Sequence, residues 1–263
     1  MSALHPLLEH LIDYAGLFPP AALPMAQAVE NYQRYRQSPE SWILARFVVP
    51  VARLDELEAT VAKPAPLVSA LIGANLDADL ERIARSPLPI DAIELKASDA
   101  AQIESAMARV PSRLNTYIEI TDVSLIPAIK SSGARAKIRT GGVTPEAFPS
   151  AGQVAKFLEA CANQKLPFKA TAGLHHPLRC HRPLTYSVDG PSGWMFGFLN
   201  VFLAATLAWK GEGGLDEVLM EEDFDDHGLT PEDFAKTRRE FAISFGSCSF
   251  EEPVNELRSL HLL

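Results

Sequence analysis

Lys137, in the segment Ala134-Arg-Ala-Lys-Ile-Arg-Thr-Gly-Gly142, and Lys169, in Phe168-Lys-Ala-Thr-Ala-Gly-Leu174, each stand in a short apolar stretch that runs into glycine. A free lysine has a pKa near ~10.4 and is protonated at neutral pH. Neighbouring cations and partial desolvation lower that value and free the amine lone pair. Such an amine attacks a carbonyl and forms a Schiff base, whose iminium is an electron sink for breaking or making a carbon–carbon bond. A nearby carboxylate shuttles the protons. On this chemistry Lys137 is the expected nucleophile and Lys169 the cation that lowers its pKa. Glu94 and Glu119 are the expected proton carriers, and Arg139 the bidentate clamp for an anionic group.

Other strand-like segments also carry charge. Alternate side chains of a strand share a face. Glu94 therefore goes with Lys96, Tyr117 with Glu119, Lys137 with Arg139, and Lys169 with Thr171. Asp13 stands inside the apolar segment Leu11–Phe18. Charges are rarely placed inside a parallel sheet without a chemical reason. The structural alternative is a set of ion pairs closing one end of a barrel. Gly141, Gly142, Gly173, Gly246 and Ser247 fall at the ends of expected strands, where backbone N–H groups can hold phosphate or carboxylate. With Arg139, Lys96, His175 and Asp13 they make up the expected substrate-binding set for a small anionic molecule.

His175, His176 and His181 cluster with Cys180 in the segment HHPLRCH. Two of these histidines with Asp13 or Glu119 would make a metal-dependent hydrolase the alternative function. No HxH or HExxH pattern occurs. The Schiff-base reading calls for no metal and no cofactor. A third alternative is a barrel that only binds a small molecule or a partner protein, with the apolar run 194–209 as its interface. Asp223, Asp225 and Asp226 are out of register for a calcium loop and read as a solvated acidic loop.

The elements that must position these residues alternate along the chain. Strands are expected at Leu11–Phe18, Trp42–Val49, Leu67–Gly73, Asp91–Ala97, Leu114–Ile120, Ala134–Thr140, Phe168–Leu174 and Phe241–Cys248. Helices are expected at Pro24–Arg36, Leu54–Ala62, Asp77–Arg85, Ala100–Ala108, Ser124–Ser131 and Pro149–Asn163, and again at Phe250–Leu260. The region 175–240 is irregular: a His-, Pro- and Gly-rich loop (175–193), one buried helix over Trp194–Trp209, and a helix capped by Thr230 with Pro231 first. Strands alternating with helices predict a parallel sheet, and this many predict closure. The expected fold is a single (β/α)8 TIM barrel domain over 1–263, with an elaborated segment between strands seven and eight.

The motifs resemble one family. Lys137-Ile-Arg-Thr-Gly is similar to the Lys-Thr-Ser-Thr-Gly strand of deoxyribose-phosphate aldolases, which carries the Schiff-base lysine. Lys169-Ala-Thr-Ala-Gly resembles their Lys-Ala-Ser-Gly-Gly strand, which carries the second lysine. Phe245-Gly-Ser-Cys-Ser249 resembles their phosphate-binding Gly-Thr-Ser-Ser segment, and Tyr117-Ile-Glu-Ile-Thr121 their Ile-Ile-Glu-Thr strand. Glu94 falls where that family has an aspartate of the proton relay. The resemblance implies a divergent class I aldolase, a barrel fold and a lyase activity. The departures are Glu for Asp at 94, the added Lys96, and Arg139 beside the nucleophile.

Bulk composition sets the remaining bounds. With 47% hydrophobic and 22% charged residues the chain has an ordinary globular composition. A net charge of −9 argues against nucleic acid as the main partner. Three dispersed cysteines with no CxxC fit a reducing cytoplasm rather than a disulfide framework. The N-terminus has no basic segment and carries Glu9, so no signal peptide is expected. The run Trp194–Trp209 is shorter than the ~18 residues of a membrane span and includes Asn200 and Thr206, so no membrane partner is expected. Self-association is left open.

Overall fold

The computed structural model describes residues 3–263. Eight parallel strands close into a barrel: β1 (Ile12–Tyr14), β2 (Leu44–Pro50), β3 (Val68–Leu71), β4 (Ile90–Lys96), β5 (Asn115–Glu119), β6 (Arg135–Arg139), β7 (Phe168–Thr171) and β10 (Ala242–Ser247). Each pairs with its sequential neighbour, and β1 closes the ring between β2 and β10. The expected (β/α)8 architecture is therefore the one observed. Between β7 and β10 the chain adds a two-stranded antiparallel hairpin of β8 (Cys180–Pro183) and β9 (Ser192–Met195).

The helices between strands begin where the sequence supplies caps. Asn75 accepts from the Ala78 N–H at the start of α4 (Leu76–Arg85), and Asp99 accepts from the Gln102 N–H at the start of α5 (Ala100–Met107). A reciprocal Ser150–Gln153 capping box opens α7 (Ala151–Asn163), and a Thr230–Asp233 box, with Pro231 first, opens α10 (Pro231–Glu240). Gly133 ends α6 (Ile126–Ser132) at φ 77°, a left-handed position that costs glycine little.

Two expectations are corrected. The first strand spans Ile12–Tyr14 rather than Leu11–Phe18, because Ala15 to Phe18 turn out of the sheet over the barrel mouth. The apolar run Trp194–Trp209 is not one helix. Ser192–Met195 pairs as β9, Gly197 breaks the chain, and α8 spans Phe198–Lys210. A Cβ at Gly197 would lie 2.3 Å from both the Leu178 Cα and the Pro177 carbonyl oxygen, so only glycine lets the backbones cross there. The short α1 (His5–Leu8), a single helical turn, has no counterpart among the expected elements.

α8 is buried from Phe198 to Ala208 and fills the side of the barrel beside β10. Phe198 stacks on Phe245 with centroids 5.1 Å apart, and Phe202 lies 6.5 Å from Phe168. Each such buried side chain contributes roughly 1.5–3 kcal/mol. At the bottom of the barrel Arg238 donates to the carbonyls of Leu7, Glu9, His10, Ala242 and Ile243, joining α1, β10 and α10. Among the described residues no helix is long and apolar enough to cross a membrane.

Candidate active site

The inner end of the barrel holds a continuous ionic layer built by strand register. Glu119 sits opposite Lys137, Lys137 opposite Lys169, and Lys169 opposite Ser244. Lys169 Nζ donates to Asp13 Oδ2 and to Glu94 Oε1, both at 2.6 Å. Lys137 Nζ lies 2.7 Å from Glu94 Oε2 and 2.9 Å from Glu119 Oε2. Asp13, Glu94, Lys137 and Lys169 are each at most 4% exposed, and Glu119 is 7% exposed. Isolated ions there would cost several kcal/mol each, so the layer is stable only as a set.

Neutral groups complete it. Ser69 Oγ donates to Glu94 Oε1 at 2.8 Å, and Ser244 Oγ to Asp13 Oδ2 at 2.7 Å. The Arg46 backbone N–H donates to Asp13 Oδ1 at 3.1 Å, while its guanidinium makes a two-pronged pair with Asp91. Lys169 Nζ also lies 5.4 Å from the centre of the Tyr117 ring. Ser69, Ser244 and Arg46 are not among the expected site residues. The available signal was a serine inside an apolar run, Ser69 in Val-Ser-Ala-Leu and Ser244 in Ala-Ile-Ser-Phe.

These contacts fix the charge states. Burial alone would push the Glu94 carboxyl up, but the Lys137 and Lys169 charges override it and hold it well below the usual carboxylate range. Burial likewise works against the Glu119 carboxylate, yet Lys137 and then Arg139 bring its pKa below the ordinary value. Burial pulls the Lys169 ammonium down, and the Asp13 and Glu94 charges more than offset this, raising it above the usual lysine range. Lys169 is therefore a fixed cation at neutral pH.

Glu119 links this buried layer to the rim. Its Oε1 accepts from Arg139 Nε at 3.2 Å and lies 3.5 Å from Lys96 Nζ. The Arg139 and Lys96 side chains are 45% and 74% exposed. Glu119 Oε2 accepts no aligned hydrogen bond, and its approach to Lys137 is a charge contact. That oxygen keeps free acceptor capacity next to the lysine.

Above the layer lies a cavity of about 290 Å³, walled by Lys137, Lys169 and Glu94 below and by Arg139, His175 and Cys248 higher up. A wider groove of about 830 Å³ shares the Glu94, Lys137 and Arg139 wall. Gly142 and Gly246 line the cavity. Gly141 and Gly173 instead pack backbone to backbone: a Cβ at Gly173, where φ is 75°, would sit 2.8 Å from the Gly141 Cα. Ser247 is buried, and its Oγ accepts from the Ser249 N–H. Asp13 lies beneath Lys169 and outside the cavity lining.

The three histidines of the loop diverge. His175 Nδ1 lies 3.3 Å from Glu252 Oε2, His176 Nδ1 lies 2.7 Å from Glu256 Oε1, and His181 packs edge-on against Trp194. Among the described residues no three His, Cys, Asp or Glu side chains gather as a metal site requires. No protein-family model matches the chain, and no curated protein matches it by sequence.

Proposed function

We propose that this barrel is a Schiff-base-forming lyase, a divergent class I aldolase that acts on small anionic carbonyl compounds. The observation that carries the reading is Lys137: a buried amine on the wall of an open cavity, within 2.9 Å of two carboxylates, with a half-exposed arginine above it. Structural ion pairs need no open cavity above them.

Each step has a group within reach. Lys137 gives a proton to Glu119 Oε2 and attacks the carbonyl carbon. The carbinolamine loses water as a carboxyl group returns the proton to the departing hydroxyl. The iminium then accepts the electron pair of the breaking carbon–carbon bond as a carboxylate takes the proton of the hydroxyl that becomes the departing carbonyl, and the enamine left on Lys137 regains a proton at carbon to give the imine. Water hydrolyses the imine and restores the amine. Arg139, with Lys96 beside it, holds the substrate anion at the rim. Lys169 keeps a positive charge in the layer throughout and holds the far oxygen of Glu94, the carboxylate that faces Lys137.

The resemblance to the deoxyribose-phosphate aldolase strands supports the same assignment of Lys137, Lys169 and Glu94. The test is reductive trapping. Incubation of the folded protein with a small keto acid and borohydride should add one substrate mass per chain, and the urea-unfolded chain should show no such preference. Equal labelling of folded and unfolded chains would refute the proposal.

A further inference from the structure

The two-residue period of the strands sets what stands above the ionic layer. Ser69, Lys137, Lys169 and Ser244 belong to the layer, and two residues further along the same strands come Leu71, Arg139, Thr171 and Gly246. These four and Val48 of β2 all line the cavity. The ring they form is two-sided. β2 and β6 are four strands apart in a ring of eight, as are β3 and β7. Val48 therefore stands across the mouth from Arg139, and Leu71 across from Thr171. Phe18 and Pro19, from the turn after β1, extend the apolar side. The side chains of Phe18, Pro19, Val48 and Leu71 offer neither a hydrogen-bond donor nor an acceptor.

The opposite side carries positive charge. Arg139 Nε donates to Glu119, while its two terminal nitrogens make no hydrogen bond among the described residues. They are left free for the two oxygens of a carboxylate. His175 lines the same side, from the loop after β7. Burial pulls its imidazolium down, and the contacts of Nδ1 with Cys248 and Glu252 override it, raising its pKa to about 9. Glu252 already faces that charge, so Arg139 is the anchor for a substrate anion. At about 290 Å³ the cavity lies at the lower end of the ~300–1,000 Å³ typical of ligand sites, which keeps the occupant small.

We propose that the substrates are 4-hydroxy-2-oxo acids with a short alkyl tail, the carboxylate held by Arg139 and the tail packed on Phe18, Val48 and Leu71. The carbonyl at Lys137 rests on the Schiff-base reading, whereas the acid and its alkyl tail rest on the two-sided wall. With C2 bound to Lys137, the C3–C4 bond breaks and its electron pair passes to the iminium. The C4 hydroxyl gives its proton to a carboxylate of the layer, and C4 leaves as the carbonyl of an alkyl aldehyde. C3 regains a proton, and water releases the three-carbon 2-oxo acid from the lysine. A polyhydroxylated tail, as in a sugar, would exchange water for a wall without hydrogen-bonding side chains.

The test is NMR titration of the full-length protein with butanoate, hexanoate and 3,4-dihydroxybutanoate, none of which has a ketone or aldehyde for Lys137 to capture. Hexanoate should bind about tenfold more tightly than butanoate, since each methylene buried on the apolar side gains roughly three- to fourfold. The dihydroxy acid should bind at least ~fivefold more weakly than butanoate. Leu71→Gln should cut the hexanoate advantage to below ~threefold, and Arg139→Ala should weaken both alkyl acids alike by about tenfold or more. Equal affinity for butanoate and hexanoate, tighter binding of the dihydroxy acid, or no binding of any acid would overturn the proposal. The series on the unsubstituted protein decides the matter even where a variant does not fold. The two readings also fail separately. Acids that bind in this order, with no borohydride adduct from any 2-oxo acid, would keep the alkyl site and remove the Schiff base. Trapping on Lys137 with an affinity indifferent to chain length would do the reverse.

Discussion

Lys137 and Lys169 hold opposite oxygens of one carboxylate: Glu94 Oε2 lies 2.7 Å from Lys137 Nζ, and Glu94 Oε1 lies 2.6 Å from Lys169 Nζ. The ions run in series from the rim inward, as Glu119, Lys137, Glu94, Lys169 and Asp13. Glu94 is the member whose loss breaks the series in the middle.

Glu94→Gln should therefore destabilise the protein by about 3–5 kcal/mol, because two buried ammonium groups each lose a charged partner. Lys96→Ala, at the exposed end of the layer, should cost less than ~1 kcal/mol. Urea unfolding of both variants checks this. Equal costs would mean that the central carboxylate is no more important than a surface charge.

Stability should also depend on pH with a predictable sign. Glu94 and Glu119 have depressed pKa values in the folded state. Their contribution is full above the unfolded value of ~4.3 and is lost as pH falls below it. His175 is raised to about 9. Its contribution is full below the unfolded value of ~6.5 and is lost as pH rises through 9. The unfolding free energy from urea titrations should be highest near pH 5–6.5 and decline toward pH 9.5, by on the order of 2–3 kcal/mol for His175. His175→Gln should flatten that alkaline decline. Parallel declines in the two proteins would remove His175 as its source.

Arg139→Ala should separate anionic from neutral substrates. A charge-assisted hydrogen bond to an anion is worth ~1.5–3 kcal/mol. Trapping of a small keto acid should fall about 10–100-fold at subsaturating concentration, with capture of a neutral aldehyde of similar size largely retained. A uniform loss on both substrates would place Arg139 in the support of Glu119 instead of in anion binding.

Much of this architecture was legible because periodicity and punctuation agreed. Pro50 closes a largely apolar strand, Ser150 and Thr230 open helices, Lys137 stands between Ala136 and Ile138, and Lys169 between Phe168 and Ala170. The errors fell where a signal was ambiguous. Trp194 to Trp209 is continuously apolar, and only Gly197 marks where a hairpin strand gives way to a helix. The placement of Gly141 and Gly173 turned on a backbone crossing that strand position does not encode. The Cys248–His175–Glu252 contact joins residues far apart in the chain, so no local spacing announces it.

Arg238 makes a prediction at the opposite end of the barrel. It serves carbonyls on α1, α10's own strand neighbour β10 and the turn before β1. Arg238→Ala removes this donor from the part-buried Leu7, Ala242 and Ile243 carbonyls, and each buried group left unsatisfied costs ~1–3 kcal/mol. A total loss above ~3 kcal/mol is expected, with Arg238→Lys restoring only part, since one ammonium cannot span the same set. Full rescue by lysine would show that charge alone suffices there.

The central claim is that Lys137, and not its neighbour, forms the covalent bond. The direct measurement is borohydride trapping with a small keto acid, followed by peptide mapping, on the unsubstituted protein and on Lys137→Ala and Lys169→Ala. The account predicts one adduct on Lys137, none in Lys137→Ala, and a slowed adduct still on Lys137 in Lys169→Ala, because Glu94, the carboxylate that positions Lys137, loses its other ion partner. An adduct on Lys169, one spread over surface lysines, or trapping unchanged in Lys137→Ala would contradict it.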